Sequence, residues 1–438
     1  MKQLRFVVRR RAPISTLAAL ALIIFGITAA GVDAKKHRAA AAAANPTFGS
    51  PVVVTGDDTG EPGINVAADG TTYINAPSGL LSNLPGSPSF VYRSTDGGGS
   101  WVKLPAGARA NLPGGGDSNI SLDPATGKIY MTDLWLGSAT ISSSTDKGQT
   151  WTANPLEGTV IQDRQWISTS GGNVVYHLTH QIPSGLVVSK STDGGVTFPT
   201  RTVAATPVDQ TGCICPSGNL ISEAGGGLLG SGDKVGFVYA TSTGGVNFAR
   251  STNGALTFSN VSVSPASDAD TTQAFPVVAN AGGGHLVAVW LEIFGTSSSR
   301  VQISTSSDWG STWSTPRTIV SGGASVYPWV DASGSKVAVS LYHTTTPGEP
   351  NTVSNSAQWF ETYLESTDGG ATFSAPQTVD PTVVKTGPIC TQGTGCSSDR
   401  ELLDFQSVAL DPSARANLAW THSIDGNSNT ELRFVREN

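Results

Sequence analysis

Four acidic side chains each stand at the start of a short apolar segment that is typical of a β-strand. They are Glu61, Asp117, Asp163 and Asp404. Two carboxyl groups roughly 5–10 Å apart can hydrolyse a glycosidic bond if their surroundings keep one of them protonated. The same acids can instead hold Ca²⁺ together with backbone carbonyls, or they can simply solvate the strand ends. The residue types alone leave these three interpretations open.

Side chains that can bind a polar ligand occupy corresponding places in the sequence. Arg164 follows one of the acids directly, and a guanidinium can bind a carboxylate through two parallel hydrogen bonds. Arg400 precedes another of them by four residues. The remaining candidates for substrate binding are aromatic or imidazole side chains at the ends of apolar segments: Trp135, Trp166, Tyr327, His180, His343 and His422.

The composition indicates the kind of scaffold that must position these groups. The chain has 438 residues, of which 51 are Gly and 25 are Pro, and only 13% are charged. Gly and Pro are the poorest helix formers, so a helical bundle is excluded. Hydrophobic residues make up 38% of the chain, which is enough for a packed core and argues against disorder. The composition favours many short strands joined by turns.

An octapeptide of the form S-x-D-x-G-x-T-W/F occurs six times, and its copies start 47 to 60 residues apart. The pattern predicts a tight turn, because an Asx side chain accepts hydrogen bonds from nearby amides and Gly adopts a left-handed backbone. We therefore expect a structural role for the third residue of each copy, which is Asp96, Asp146, Asp193, Asn253, Asp308 or Asp368.

This octapeptide resembles the Asp-box, also called the bacterial neuraminidase repeat, which marks sialidases and a wider set of β-propellers. In those folds the motif lies in the turn between the third and fourth strands of a blade. The resemblance extends over nearly the whole chain after its N-terminal segment. It implies an all-β propeller fold.

A second repeat, offset from the first, consists of a strand, a Gly/Asp turn and an apolar strand. It has seven copies, at residues 61–76, 117–133, 163–180, 213–240, 274–292, 327–343 and 404–422. Residues 47–54 have the character of a fourth strand and precede the first copy. We therefore predict seven four-stranded blades closed by the N-terminal strand, with six blades as the alternative that the octapeptide count alone gives.

The propeller expectation also sorts the candidate residues by face. The starts of first strands and the ends of second strands lie opposite the octapeptides, around the mouth of the central channel. The four acids are the predicted catalytic residues there, and the arginines, aromatics and histidines are the predicted substrate-binding residues. This placement rests on analogy with the fold and indicates a location, not a reaction.

The resemblance implies a carbohydrate-active propeller, a glycoside hydrolase or lyase acting on an extracellular glycan or cell-surface polymer. The alternative is a non-catalytic propeller that binds a glycan or a protein. True exo-sialidase activity is not expected. The family's catalytic domain uses three arginines, the first in a [FY]-R-I-P motif before the first box, and residues 45–90 contain no Arg.

The N-terminal segment predicts export. Residues 1–34 combine five basic residues with an uncharged apolar run, which is typical of a signal peptide or, if uncleaved, of a membrane anchor. Residues 35–46 are a spacer, and residues 47–438 form the single propeller domain. Without the leader the formal net charge falls to about −11. A negative charge of this size excludes nucleic acid as a binding partner, and it disfavours a membrane partner unless the leader stays attached. We expect a monomer that is secreted or held in the cell envelope.

Four cysteines follow the leader, and export favours their oxidation. Cys213 and Cys215 form a C-x-C pair, and Cys390 and Cys396 bracket a short Gly/Thr loop. Three pairings are possible, and pairing within each local set requires the least chain movement. The spacing does not match a zinc site. We predict no cofactor, with a structural calcium as the remaining possibility.

Overall fold

The computed structural model consists of antiparallel sheets arranged around a central channel. It describes residues 45–78, 87–135, 137–155, 161–210, 216–396, 400–426 and 429–438. The predicted leader and the Cys213/Cys215 pair lie outside these residues. Within the described residues, seven sheets form the blades of a β-propeller, which confirms the predicted all-β fold and its seven blades.

Each of the first three blades uses four strands that are consecutive in sequence. Blade 1 contains β2 (Gly63–Val66), β3 (Thr72–Ala76), β4 (Phe90–Ser94) and β5 (Val102–Lys103). Blade 2 contains β6 (Ser118–Leu122), β7 (Ile129–Trp135), β8 (Ser138–Ser144) and β9 (Thr152–Pro155). Blade 3 contains β10 (Ile161–Gly171), β11 (Val174–Ile182), β12 (Gly185–Ser191) and β13 (Thr200–Ala205).

Blades 4 to 6 continue the same order. Blade 4 contains β14 (Ile221–Glu223), β15 (Lys234–Ala240), β16 (Val246–Ser251) and β17 (Ser259–Ser264). Blade 5 contains β18 (Val277–Gly282), β19 (His285–Phe294), β20 (Ser298–Ser306) and β21 (Arg317–Val320). Blade 6 contains β22 (Ala324–Ser333), β23 (Lys336–Thr344), β24 (Gln358–Ser366) and β25 (Gln377–Thr378), with β26 (Lys385–Thr386) also pairing β24.

Blade 7 joins the two ends of the propeller domain. It contains β27 (Ser407–Leu410), β28 (Ala416–Ser423) and β29 (Thr430–Arg436), and its outermost strand is β1 (Val52–Thr55). Val52 pairs with Phe434 and Val53 with Arg433, in antiparallel register. The N-terminal strand therefore closes the ring, as the seven-unit repeat predicts, and counting the octapeptides alone gives the wrong blade number.

The six octapeptides form the turns between the third and fourth strands of blades 1 to 6. In the first copy Asp96 accepts hydrogen bonds from the Ser94 hydroxyl at 2.7 Å and from the Ser100 amide at 3.0 Å. The Ser94 oxygen in turn accepts the Gly98 amide at 2.8 Å. Asn253 makes equivalent bonds in the fourth copy. We call the side of the ring that carries these turns the box face.

Aromatic side chains from first strands, and from the connections that lead into them, pack together near the channel. Trp329 stacks on Phe405 with ring centroids 5.2 Å apart, and Trp166 contacts both Phe275 and Trp329 at 5.7 Å. We call these four residues the aromatic floor, because a cavity opens above them on the side opposite the box face. Among the described residues, no helix has the length and apolarity that a membrane crossing requires.

Candidate functional site

A cavity of about 710 Å³ opens on the side of the ring opposite the box face. Its walls come mainly from the connections that lead into the first strands of the blades, and several of the lining residues are ionisable. The lining residues are Glu61, Pro77, Gly116, Asp117, Leu134, Asp163, Arg164, His180, Pro216, Thr272, Gln273, Ala274, Phe275, Tyr327, Thr391, Gln392, Gly393, Arg400, Leu403 and Asp404. All four predicted acids and both predicted arginines therefore lie in one cavity.

An unusual backbone conformation recurs in the walls of this cavity. Glu61, Arg164, Tyr327 and Leu403 have φ values of 48°, 46°, 52° and 57°, in the left-handed region that side chains other than Gly rarely adopt. The strand register also shifts at Arg164 in β10 and at Tyr327 in β22. Such bulges redirect a side chain away from the regular alternation of a strand. The backbone strain coincides with the residues that line the cavity, as is typical of functional sites.

Arg164 is the most distinctive group in the cavity. Its side chain is only 8% exposed, and its guanidinium lies 3.8 Å from the centre of the Trp166 ring and 4.6 Å from that of Phe405. Nη1 lies 3.5 Å from a Glu61 oxygen and 3.3 Å from an Asp117 oxygen, yet none of its three nitrogens makes a hydrogen bond within the described part of the chain. A buried guanidinium without hydrogen bonds is costly, and a ligand with two acceptor oxygens would satisfy it.

The carboxyl groups of Glu61 and Asp117 both lie close to Nη1 of Arg164. Both contact the same nitrogen, so the separation of their oxygens cannot exceed the sum of the two contact distances. The two carboxyl groups and the guanidinium therefore form one close cluster.

Burial raises the pKa of Glu61 well above its ordinary value, and the neighbouring carboxylates of Asp117 and Asp404 raise it further. Its Oε1 accepts the Asp404 amide at 3.2 Å. The pKa of Asp404 is also raised by burial, although Arg400, whose Nη2 lies 2.6 Å from its Oδ2, lowers it in part. Their surroundings therefore favour the protonated forms of Glu61 and Asp404.

Asp163 combines exposure to the cavity with a raised pKa. Its side chain is open to the cavity, but the surrounding walls restrict hydration, and this desolvation raises its pKa. The carboxylate of Asp117 raises the same pKa further. An acid that is accessible and holds its proton above the usual pH can donate that proton to a bound molecule.

Tyr327 and His180 complete the ionisable lining. The Tyr327 hydroxyl donates a hydrogen bond to the Cys390 carbonyl at 3.2 Å, and burial raises its pKa well above the ordinary value. His180 lies opposite Asp163 in the β10–β11 register, and burial lowers its pKa. Both groups are therefore neutral at pH 7.

A disulfide shapes one wall of the cavity. Cys390 and Cys396 are bonded, which confirms that local pairing. The loop between them contributes Thr391, Gln392 and Gly393 to the lining. Sequence reasoning did not place these three residues at the site, although a short loop bracketed by two cysteines beside Arg400 was a usable signal.

Some of the predicted binding residues lie away from the cavity surface. Trp166 is fully buried in the aromatic floor, so it supports Arg164 from below and is not exposed to a ligand. His343 lies opposite Ser325 in the β22–β23 register, because β22 begins three residues before the bulge at Tyr327. The Nδ1 atom of His343 lies 3.0 Å from the Ser325 hydroxyl. His422 is buried opposite Glu431 in the β28–β29 register. The side chain of Trp135 lies outside the described residues.

Within the described residues, no group of three or more His, Cys, Asp or Glu side chains is placed as a metal site requires. The structural calcium remains a prediction.

Comparison with solved structures finds proteins to which this chain is similar at low sequence identity. A protein of unknown function from Dyadobacter fermentans DSM 18053 is similar over 89% of this chain and 99% of its own, with 13% identity and a TM-score of 0.50. An α-L-arabinanase from Penicillium chrysogenum, complexed with arabinobiose, covers 89% of this chain and 98% of its own at 10% identity and a TM-score of 0.49. The NanB sialidase from Streptococcus pneumoniae covers 90% of this chain and 71% of its own, with 12% identity and a TM-score of 0.42.

At these identities the likeness concerns the fold alone. No protein-family model matches the chain, and no curated protein matches its sequence.

Proposed function

We propose that this protein is a glycoside hydrolase that acts, outside the cytoplasm, on a glycan whose reacting sugar carries a carboxylate. The observation that carries the proposal is Arg164, a buried guanidinium without hydrogen bonds that faces a cavity rich in carboxyl groups. Its stacking on the aromatic floor fixes the plane of the guanidinium, which favours a planar ligand such as a carboxylate.

In this proposal Asp163 is the general acid, because it is exposed to the cavity and its pKa is raised. It protonates the glycosidic oxygen as the bond to the leaving sugar breaks. Asp117, whose side chain is 27% exposed, serves as the base or nucleophile on the other side of the bond. Glu61 is a positioning residue, since it is buried and lies against Arg164.

The shape and size of the cavity favour a catalytic role over a flat binding surface. Its volume of about 710 Å³ lies within the roughly 300–1,000 Å³ of typical small-ligand sites. A binding propeller with no catalytic role needs no accessible acid of raised pKa. A lyase remains a second outcome of the same assay, because an arginine that neutralises a sugar carboxylate also assists elimination.

A screen of acidic and neutral polysaccharides with the wild-type protein and with Asp163→Asn tests the proposal. Hydrolysis releases reducing ends, whereas elimination yields an unsaturated sugar that absorbs in the ultraviolet. We expect reducing ends from an acidic glycan and a loss of activity of about 100-fold or more in the variant. Asp193→Asn on the box face is a matched control, since Asn253 makes the same turn bonds. If glycans bind equally well to both proteins and none is cleaved, the catalytic proposal is lost.

A further inference from the structure

The cavity has a second wall that carries no charge. Thr272 and Gln273 come from the connection into blade 5, and Thr391, Gln392 and Gly393 come from the disulfide loop. The acids and the arginines lie elsewhere in the lining. The two sets of residues therefore offer a ligand two different chemistries within one cavity.

Cross-links hold the uncharged wall in place. The Thr391 hydroxyl donates to Oε1 of Gln273 at 2.7 Å, which joins the disulfide loop to blade 5. The Thr391 amide donates to Oδ1 of Asn351 at 2.9 Å. The Cys390–Cys396 bond and the Tyr327–Cys390 hydrogen bond fix the base of the loop. A wall constrained in this way is preorganised for a ligand.

Gln392 is the group on this wall that is available to a ligand. Its side chain is exposed, and its amide makes no hydrogen bond to any other described residue. An amide presents both a donor and an acceptor, which matches the hydroxyl groups of a neutral sugar. It offers no charge to a carboxylate.

The described lining offers a second anionic group no cation that is not already paired. Four acids line the cavity against two arginines, and one of these arginines, Arg400, is already paired with Asp404. One carboxylate can be bound at Arg164, but a second would lie among carboxyl groups with no cation to receive it. A second carboxylate would lose its hydration in the cavity without gaining a paired cation, and burying an unpaired charge is costly.

Building on the proposed function, we infer that the substrate is a heteropolysaccharide in which the acidic sugar bound at Arg164 is linked to a neutral sugar bound against Gln392. Arg164 selects the acidic unit, and the uncharged wall selects its neighbour. Thr391 and Gln273 are positioning residues that hold Gln392 in place.

Calorimetric titration of Asp163→Asn, in the otherwise intact chain, tests the inference about the neutral sugar separately from the proposed function. The ligands are the methyl glycoside of glucuronic acid, a disaccharide of glucuronic acid linked to a neutral hexose, and a disaccharide of two glucuronic acids. We expect the mixed disaccharide to bind about 5- to 10-fold more tightly than the methyl glycoside. The diacid should bind no more tightly than the methyl glycoside.

Adding Gln392→Ala to Asp163→Asn should abolish the tighter binding of the mixed disaccharide and leave the affinity for the methyl glycoside unchanged. Adding Gln149→Ala on the box face instead should change neither affinity. The inference is overturned if the diacid binds best or if Gln392→Ala has no effect on the mixed disaccharide. A methyl glycoside that binds equally well with and without Arg164→Lys instead contradicts the proposed function. The two failures are thus distinguishable.

Discussion

Arg164 connects the backbone, the aromatic floor and the carboxyl groups of the cavity. A left-handed φ of 46° directs it out of the strand, and aromatic rings hold its guanidinium from below. Glu61 and Asp117 lie near it but do not complete its hydrogen bonds. A group held so firmly and left without hydrogen bonds is better suited to binding a ligand than to stabilising the fold.

Arg164→Lys should weaken binding of the methyl glycoside of glucuronic acid by about 10- to 100-fold. Lysine keeps the positive charge but loses the planar fork that donates two parallel hydrogen bonds. The measurement is calorimetric titration, with the melting temperature as the control for folding. Unchanged affinity in a folded variant would show that Arg164 does not bind the carboxylate.

Glu361 provides a prediction about stability. It is fully buried between β23 and β25, and neither carboxyl oxygen has a hydrogen-bond partner among the described residues. Burial raises its pKa well above the ordinary value, and Asp380 raises it further. A carboxyl with a raised pKa in the folded state contributes its full stability below the unfolded pKa of about 4.3 and loses it as the pH rises towards the folded value.

Glu361→Gln should therefore gain stability relative to the wild type as the pH rises from about 5 to 8, since the amide does not ionise. Chemical denaturation at several pH values measures the difference. A difference that does not depend on pH between about 5 and 8 would show that the folded state does not raise the pKa of Glu361.

At the scale of the elements, the turns of the box face were predictable because their hydrogen bonds are local. Asp368, for example, bonds Ser366 and Thr372 within its own octapeptide, so the sequence pattern contains the whole arrangement. The starts of the first strands were predictable from a local sequence pattern. Acids such as Glu61 and Asp117 directly precede apolar runs, and the repeat places those runs on one face.

The uncharged wall was not predictable in this way. Gln392 reaches the cavity because Thr391 bonds Gln273, which is more than a hundred residues distant in sequence. His343 lies at the end of the second strand of its blade, β23, as the repeat predicts, but it is not among the residues that line the cavity. The bulge at Tyr327 lets β22 begin earlier than the repeat suggests, and the register then pairs His343 with Ser325. Non-local contacts and bulges leave little trace in a single sequence.

Asp368→Ala should lower the melting temperature by roughly 1–3 °C, whereas Asp368→Asn should change it little. The carboxylate accepts the Thr372 amide and hydroxyl, and these bonds lower its pKa to about 2 although partial burial opposes the shift. Asn253 shows that an amide can replace the carboxylate in this turn. Equal melting temperatures for the Ala and Asn variants, measured by calorimetry, would contradict the assigned role.

The lowered pKa also fixes the direction of the pH dependence for the Asp side chains in these turns. A depressed folded pKa contributes stability above the unfolded pKa of about 3.9 and loses it as the pH falls towards the folded value. The difference between wild type and Asp368→Ala should therefore shrink between about pH 4 and 2.

At the scale of the whole molecule, the ring is a closed structure whose last blade depends on its first strand. β1 supplies the outermost strand of blade 7, and the backbone of Thr47 accepts a hydrogen bond from the Asn438 amide at 2.9 Å. The Gly-rich and weakly charged composition reflects the short strands and turns of this scaffold. Four acids and two arginines line the cavity on one side of the ring.

Removing residues 45–55 should expose the edge of β29 and make unfolding less cooperative, with a lower melting temperature. Differential scanning calorimetry of the truncated chain against a chain that begins at residue 45 measures this effect. A single transition at an unchanged temperature would show that the ring does not need β1.

The central claim is that Asp163 and Asp117 act chemically on a glycan held by Arg164. Its most direct test is the single-turnover cleavage rate of an acidic oligosaccharide, measured for the wild type and Asp163→Asn under saturating protein. The account predicts that the rate falls by about 100-fold or more while the dissociation constant stays within a few-fold of the wild type. An unchanged rate, or a loss explained wholly by weaker binding, would contradict it.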